Sequence, residues 1–232
     1  ANKQRRSPPF SVEQLQAILR ELPQPDQYVI AYSGGLDSQV LLHAMATLQA
    51  QGLVTCQVIH IQHGLQPEAA DWAAHCQAVC LALDVPLQIE YLNLQPLAGS
   101  SLEALAREAR YTALHRLSPP NSMLLTAHHC DDQAETILLQ LFRGAGIQGL
   151  AAMSLCRSTP QGWHARPCLT WSRQALQAYA VQHNLTWIED PSNQNIDFDR
   201  NYVRQHIMPV IQNRWPAASR SMARSAGHLA AT

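Results

Sequence analysis

Residues 28–45 read Tyr-Val-Ile-Ala-Tyr-Ser-Gly-Gly-Leu-Asp-Ser-Gln-Val-Leu-Leu-His-Ala-Met. Val29, Ile30, Ala31 and Tyr32 are apolar and bounded by turn residues, as in a strand of a buried parallel sheet. Ser33-Gly34-Gly35 then offers two positions without a Cβ, where the backbone can take positive φ and approach a ligand. Val40, Leu41, Ala44 and Met45 follow at helical spacing. Strand, glycine loop and helix in that order aim unpaired N–H groups and the positive end of a helix dipole at one point, where a phosphate chain is stabilised. Two common nucleotide loops do not fit. A Walker A loop needs a Lys after its last Gly, and Lys3 is the only Lys; the dinucleotide fingerprint needs a third Gly that does not follow. The bland alternative is a ligand-free turn, since Gly-Gly and Asp-Ser are ordinary turn chemistry.

Outward from this stretch, strand and helix patterns alternate. Residues 11–22 carry Val12, Leu15, Ile18, Leu19 and Leu22 behind a Ser N-cap, and Pro23 and Pro25 close that helix. Strands are predicted at residues 54–61, 85–92 and 122–127, and helices at 68–83, at 101–117 and after residue 130. That order predicts an α/β fold, a doubly wound parallel sheet with helices on both faces, and ligands outside the carboxyl ends of the strands. Residues 1–214 form the predicted α/β domain, and 215–232 open a short C-terminal helical extension that stops at Thr232.

With 232 residues, 47% hydrophobic and 14% charged, the chain holds enough apolar material for one sizeable core. A net charge of −1 gives no bulk attraction to nucleic acid or anionic lipid, so such a partner needs a local patch. The cysteines at 56, 76, 80, 130, 156 and 168 include no Cys-x-x-Cys pair or zinc-type spacing and are expected as reduced thiols. No apolar run reaches membrane-spanning length and no export signal is visible behind Lys3, Arg5 and Arg6, so a soluble, cytoplasmic protein without membrane contact is expected.

A second cluster of chemistry follows the fourth strand, Thr-Ala-His-His-Cys-Asp-Asp-Gln-Ala-Glu-Thr at 126–136. The helix that begins there is acidic in its first turn. N-capping and dipole compensation account for Asp131. Asp132 and Glu135 lie at i and i+3 on one helical face, at the same sheet edge as Ser33 to Ser38. Three carboxylates near a phosphate site repel one another unless Mg²⁺ or a cationic substrate belongs there. His128 and His129 have no further His or Cys at helical ligand spacing in this stretch, which argues against zinc. Near the C-terminus Arg200, Arg204, Arg214, Arg220 and Arg224 make a locally basic end, suited to an RNA backbone or to a solvated helix face. Gly144 is expected to close a helix, and the Trp residues at 163, 171, 187 and 215 to pack in the core.

The loop at 33–38, Ser-Gly-Gly-Leu-Asp-Ser, resembles the pyrophosphate loop of the N-type ATP pyrophosphatases, which split ATP between its α- and β-phosphates. Together with residues 60–65, 103–111, 126–149, Arg166-Pro167 and 188–204, it is similar to the tRNA(Ile)-lysidine synthetase family over nearly the whole chain. The last segment discriminates most, because the loop alone would suit NAD synthetase, GMP synthetase or tRNA thiolases equally. The resemblance implies an adenine nucleotide alpha hydrolase-like fold and a ligase forming a C–N bond. It implies ATP and Mg²⁺ as cofactors, free lysine and tRNA(Ile) with a CAU anticodon as partners, and adenylation of the wobble cytidine O2 followed by attack of the lysine ε-amine. A homodimer stays open. Family chains usually continue into a helical subdomain.

Carried over on the motifs, Ser33, Gly34, Gly35, Leu36 and Ser38 would cradle phosphates, and Asp37 would face them through Mg²⁺. Asp132 and Glu135 would hold or deprotonate the lysine ammonium. Arg107 would offset charge on the α-phosphate, or else pair with Glu103 at i−4. Arg200 completes the catalytic set; no metal ligand is assigned. A tRNA 2-thiolase and a nucleotide-binding regulatory module without chemistry are the alternatives. The absent Cys-x-x-Cys speaks against a cluster-bearing thiolase, and the three carboxylates against the module.

Overall fold

The computed structural model of the protein describes residues 8–62, 69–92 and 102–231. Lys3, Arg5, Arg6, His63, Gly64, Leu65, Glu68, Ser101 and the side chain of Glu103 lie outside the described residues. In chain order the elements are α1 (Val12–Arg20), β1 (Gln27–Ala31), α2 (Leu36–Ala50), β2 (Cys56–Gln62), α3 (Ala69–Ala82), β3 (Leu87–Tyr91), α4 (Leu102–Leu117), β4 (Ser122–Leu125), α5 (Cys130–Phe142), α6 (Ile147–Leu150), β5 (Cys156–Thr159), β6 (Gly162–Ala165), α7 (Arg173–Gln182), α8 (Asp199–Tyr202), α9 (Met208–Arg214) and α10 (Ala218–Ala230). A π-helical stretch, Val203–Ile207, joins α8 to α9.

One six-stranded sheet runs in the order β3-β2-β1-β4-β6-β5. The chain winds outward from β1 through β2 to β3, then crosses back to β4 on the other side of β1. The crevice between β1 and β4 is therefore the switch point, where an open α/β sheet leaves room for a ligand. Alternation along the strands divides the core. Val29, Ile59 and Leu124 pack with Leu114 of α4 on one face, while Tyr28, Ile30, Val58, Met123 and Leu125 face α1, α2, α3 and α7 on the other. Ten of the fifteen residues of α2 are buried, Ser38 and Gln39 among them, so its apolar residues are not confined to one narrow stripe.

The expected wholly parallel sheet needs one correction, because β5 pairs antiparallel with β6. Pro160 and Gln161 connect these two strands as a hairpin, and β6 then adds in parallel to β4. Gly162 sits at φ +141, and a Cβ there would meet Ser122 O at 2.3 Å, so the approach of β6 to β4 requires glycine. Expected caps are present: Ser11 Oγ accepts from Gln14 N, and Gly144, at φ +69, follows the C-cap of α5. The tryptophans divide differently from expectation. Trp171 is buried, Trp163 and Trp187 are half-buried, and Trp215 is 62% exposed with the Arg214 guanidinium over its ring. Among the described residues no helix is long and apolar enough to cross a membrane.

Candidate active site at the β1–β4 crevice

The loop after β1 is built by its own serines. Ser38 Oγ accepts from Ser33 N at 3.2 Å and donates to Gly35 O at 3.0 Å, and Ser33 Oγ accepts from Gly35 N at 3.3 Å. Gly35 is the N-cap of α2 and no side chain caps that helix, so its first-turn amides stay directed at the crevice. Gly34 holds φ +82 and accepts at its carbonyl from Ile188 N at 2.9 Å. A Cβ on Gly34 would come 2.7 Å from Ile188 Cδ1 and 3.2 Å from Cys76 Sγ. The loop is thus locked from below by the segment 188–204 that discriminates most in the sequence, a coupling with no local sequence signal.

Asp37 stands in the first turn of α2. Its Oδ2 faces His129 Nε2 at 3.6 Å and Arg173 Nε at 4.0 Å, while its buried Oδ1 has no partner. A free, buried carboxylate oxygen beside a phosphate-directed helix end fits a hard cation such as Mg²⁺, whose remaining ligands would be phosphate oxygens and water.

Across the crevice, α5 opens with a capping box: His129 N donates to Asp132 Oδ2 at 2.9 Å, and Asp132 N to His129 Nδ1 at 3.3 Å. The capping role expected of Asp131 therefore belongs to Asp132. Asp131 instead accepts the N–H of Arg173 at 2.9 Å and ties the start of α7 to that of α5. Sequence order could not separate the two, because the choice depends on which residue the bend before α5 makes its N3.

Asp132 and Glu135 converge as expected, and a cation already lies between them. Arg204 Nε donates to Glu135 Oε1 at 2.7 Å, and its Nη2 donates to Glu135 Oε2 at 2.9 Å and Asp132 Oδ1 at 3.0 Å. Arg204 thus faces the carboxylates and not the solvent, a correction to its grouping with the basic C-terminal end. Arg200 reaches the same pocket, donating to Thr136 Oγ1 at 3.1 Å with Nη1 at 4.0 Å from Asp132. Burial raises the Glu135 carboxyl above the usual range although Arg204 opposes it. Burial also opposes ionisation of Asp132, yet His129, His128 and Arg204 hold that group below the ordinary carboxylate value.

His129 was given no role by the sequence and is the hub of the site. Burial disfavours its charge, but Asp132 and Asp37, with Asp131 behind them, outweigh burial and lift the imidazole to about 9. Protonation gives up the long Nδ1 cap bond and leaves Nδ1–H facing Asp131 Oδ2 at 3.9 Å. His128 behaves oppositely. Burial takes it to about 3, reinforced by Arg166, Arg107 and Arg200 against Asp132, so it is neutral and shares a hydrogen bond with Thr126 Oγ1 at 2.9 Å. Arg107 is exposed on α4 with its guanidinium 5.1 Å from the Tyr111 ring centre, within electrostatic reach of His128 but outside the carboxylate cluster. Asp37, Asp132, Glu135 and Arg200 are thus brought together beside the loop, and Arg107 borders them.

A family model described as a PP-loop domain matches residues 9–211. The chain belongs to the PP-loop family. This PP-loop chain is 53% identical over 201 residues to the tRNA(Ile)-lysidine synthase of Pseudomonas fluorescens (strain Pf0-1), covering 86% of the chain and 45% of that protein. It is 47% identical over 224 residues to the tRNA(Ile)-lysidine synthase of Alkalilimnicola ehrlichii, covering 97% and 50%. The chain spans about half the length of these curated relatives. Among solved structures, the U34-tRNA thiolase of Methanococcus maripaludis superposes with a TM-score of 0.70 at 15% identity, over 94% of this chain and 77% of that one. The NH3-dependent NAD synthetase of Campylobacter jejuni gives 0.51 at 14%, over 94% and 92%. At such identities these two carry the PP-loop fold and nothing further.

Proposed function

We propose that this chain is the nucleotide- and amine-handling part of a tRNA(Ile)-lysidine synthase: with ATP it converts the wobble cytidine of a CAU anticodon to lysidine. The observation that carries the reading is the facing pair, an amide-lined loop ending in Asp37 and a buried Asp132–Glu135 pocket, set on opposite sides of one crevice. The similarity to lysidine synthases over most of the chain supports it.

In the first step cytidine O2 attacks the α-phosphorus of ATP, the bond to the bridging oxygen breaks, and pyrophosphate leaves. Ser33, Ser38 and the first-turn amides of α2 bind and orient the phosphates. Asp37 Oδ1 would hold Mg²⁺, which when bound offsets phosphate charge. In the second step the lysine ε-amine attacks C2, the C2–O bond breaks, and AMP departs with the former cytidine oxygen. The ammonium must first lose a proton, and Glu135, its carboxyl raised by burial, is the group suited to take it. Arg204 keeps the pocket from carrying two unpaired buried charges before lysine arrives. Residues 215–232 would open the helical part that follows the PP-loop domain.

The test is incubation of the protein with ATP, Mg²⁺, bulk tRNA and lysine, each omitted in turn, with mass analysis of digested tRNA. Lysidine and AMP that require both lysine and tRNA, and pyrophosphate that requires tRNA, are the expected products. ADP and phosphate as main products would contradict the reading.

A further inference from the structure

Beside the carboxylate pocket, on the face of the sheet covered by α4, lies a cluster of the opposite sign. Arg157 of β5 stands directly across the ladder from His164 of β6, so the two share a face. From α4, Arg107 and Arg110 place guanidinium carbons 5.1 and 5.6 Å from the centre of the Tyr111 ring, and that ring lies 5.6 Å from His164. Arg166 follows β6. Burial lowers its pKa, Arg157 and Arg107 lower it further, and Tyr111 opposes them, so these guanidiniums act on one another.

Among the described residues no carboxylate lies within ion-pair distance of Arg107, Arg157 or Arg166. Arg166 is 6% exposed; one terminal nitrogen donates to Ser154 O at 3.0 Å, and its Nε has no partner. His164 is fully buried, with Nε2 on Thr126 Oγ1 at 2.9 Å and Nδ1 without a partner. A buried guanidinium without a counter-ion is costly. Only Arg166 is buried; Arg107 and Arg157 add two exposed guanidiniums beside it, although the whole chain is nearly neutral.

We propose that Arg166, Arg157 and Arg107 form a site for an RNA phosphodiester, with the Tyr111 ring as its aromatic wall. Forked guanidiniums match phosphate oxygens, and a ring flanked by cations can also receive a base face. Thr126 bonds both His164 of this cluster and His128, and His128 feels Asp132 as well as Arg166. A strand anchored here would therefore present its next base toward the β1–β4 crevice. Three cations exceed what the single carboxylate of an amino acid would need, which favours the polyanion. The proposal rests on the tRNA reading above and specifies where the RNA backbone is held.

The test is binding of a fluorescein-labelled anticodon stem-loop carrying CAU, measured by anisotropy over a salt series without ATP. Arg157→Gln, at an exposed position, is expected to weaken binding about 5-fold and to flatten the log–log salt slope by roughly 0.7 to 0.9, the loss of one phosphate contact. Its melting temperature should be unchanged. Arg166→Lys, keeping the charge but not the fork, should weaken binding by a smaller factor. Unchanged affinity and salt slope in Arg157→Gln would overturn the proposal. So would a raised KM for lysine but not for cadaverine, which lacks the carboxylate, because the cluster would then hold the amino acid. Lysidine formation by the unaltered protein is scored separately, so failure of the function reading is distinct from failure of this site.

Discussion

Arg204 is the side chain on which the carboxylate pocket depends. Its fork satisfies Glu135 on both oxygens and Asp132 on one, inside a pocket where Glu135 is 2% and Asp132 8% exposed. Removing one partner of a buried pair leaves uncompensated charge, so Arg204→Gln is expected to cost about 3–5 kcal/mol, read from chemical denaturation. A loss under about 1 kcal/mol would mean that water or another cation already serves those oxygens. Glu135→Gln separates structure from chemistry. If Glu135 receives the amine, adenylated tRNA still accumulates without lysine while the lysine requirement rises about 10- to 100-fold, the worth of a charge-assisted hydrogen bond. Equal slowing of both half-reactions would assign Glu135 to structure alone. The Asp132–Glu135 pair was legible because i and i+3 fix a shared face. Arg204 was not, because it meets Glu135 across 69 positions of chain, and only tertiary folding turns it inward.

At the level of elements, the start of α5 carries a pH dependence. The folded-state pKa of His129 is raised to about 9 from 6.5, so its contribution is fully present below about pH 6.5 and is lost as pH rises through 9. Stability should therefore fall by on the order of 1–3 kcal/mol between those values, and His129→Gln should remove most of that slope. An unchanged slope in the variant would place the titration elsewhere. The β5–β6 hairpin is testable through its glycine. Gly162→Ala combines positive φ with a Cβ 2.3 Å from Ser122 O and should destabilise by at least about 2 kcal/mol in thermal melts. The central strands and helices were legible because their apolar runs and 3.6-residue periods are strong and local. β5 and β6 were not. Each is four residues long, β5 reads Cys-Arg-Ser-Thr with two exposed positions, and its antiparallel direction follows from a turn of only two residues.

At the scale of the molecule, the return of the chain from β3 to β4 across β1 opens one crevice and lines it from two sides. The phosphate loop comes from the β1 side and the carboxylate pocket from the β4 side, with Ile188 and Arg204 contributed by the segment after α7. In the proposed function this crevice joins the α-phosphate of ATP to cytidine O2. The direct measurement uses tRNA whose cytidines carry ¹⁸O at the C2 carbonyl, turned over with ATP and lysine, with mass analysis of the AMP released. The expected result is ¹⁸O in the AMP phosphate, one atom per lysidine formed, because the C2–O bond breaks and its oxygen leaves with AMP. AMP free of ¹⁸O, with the label retained in the RNA, would contradict it.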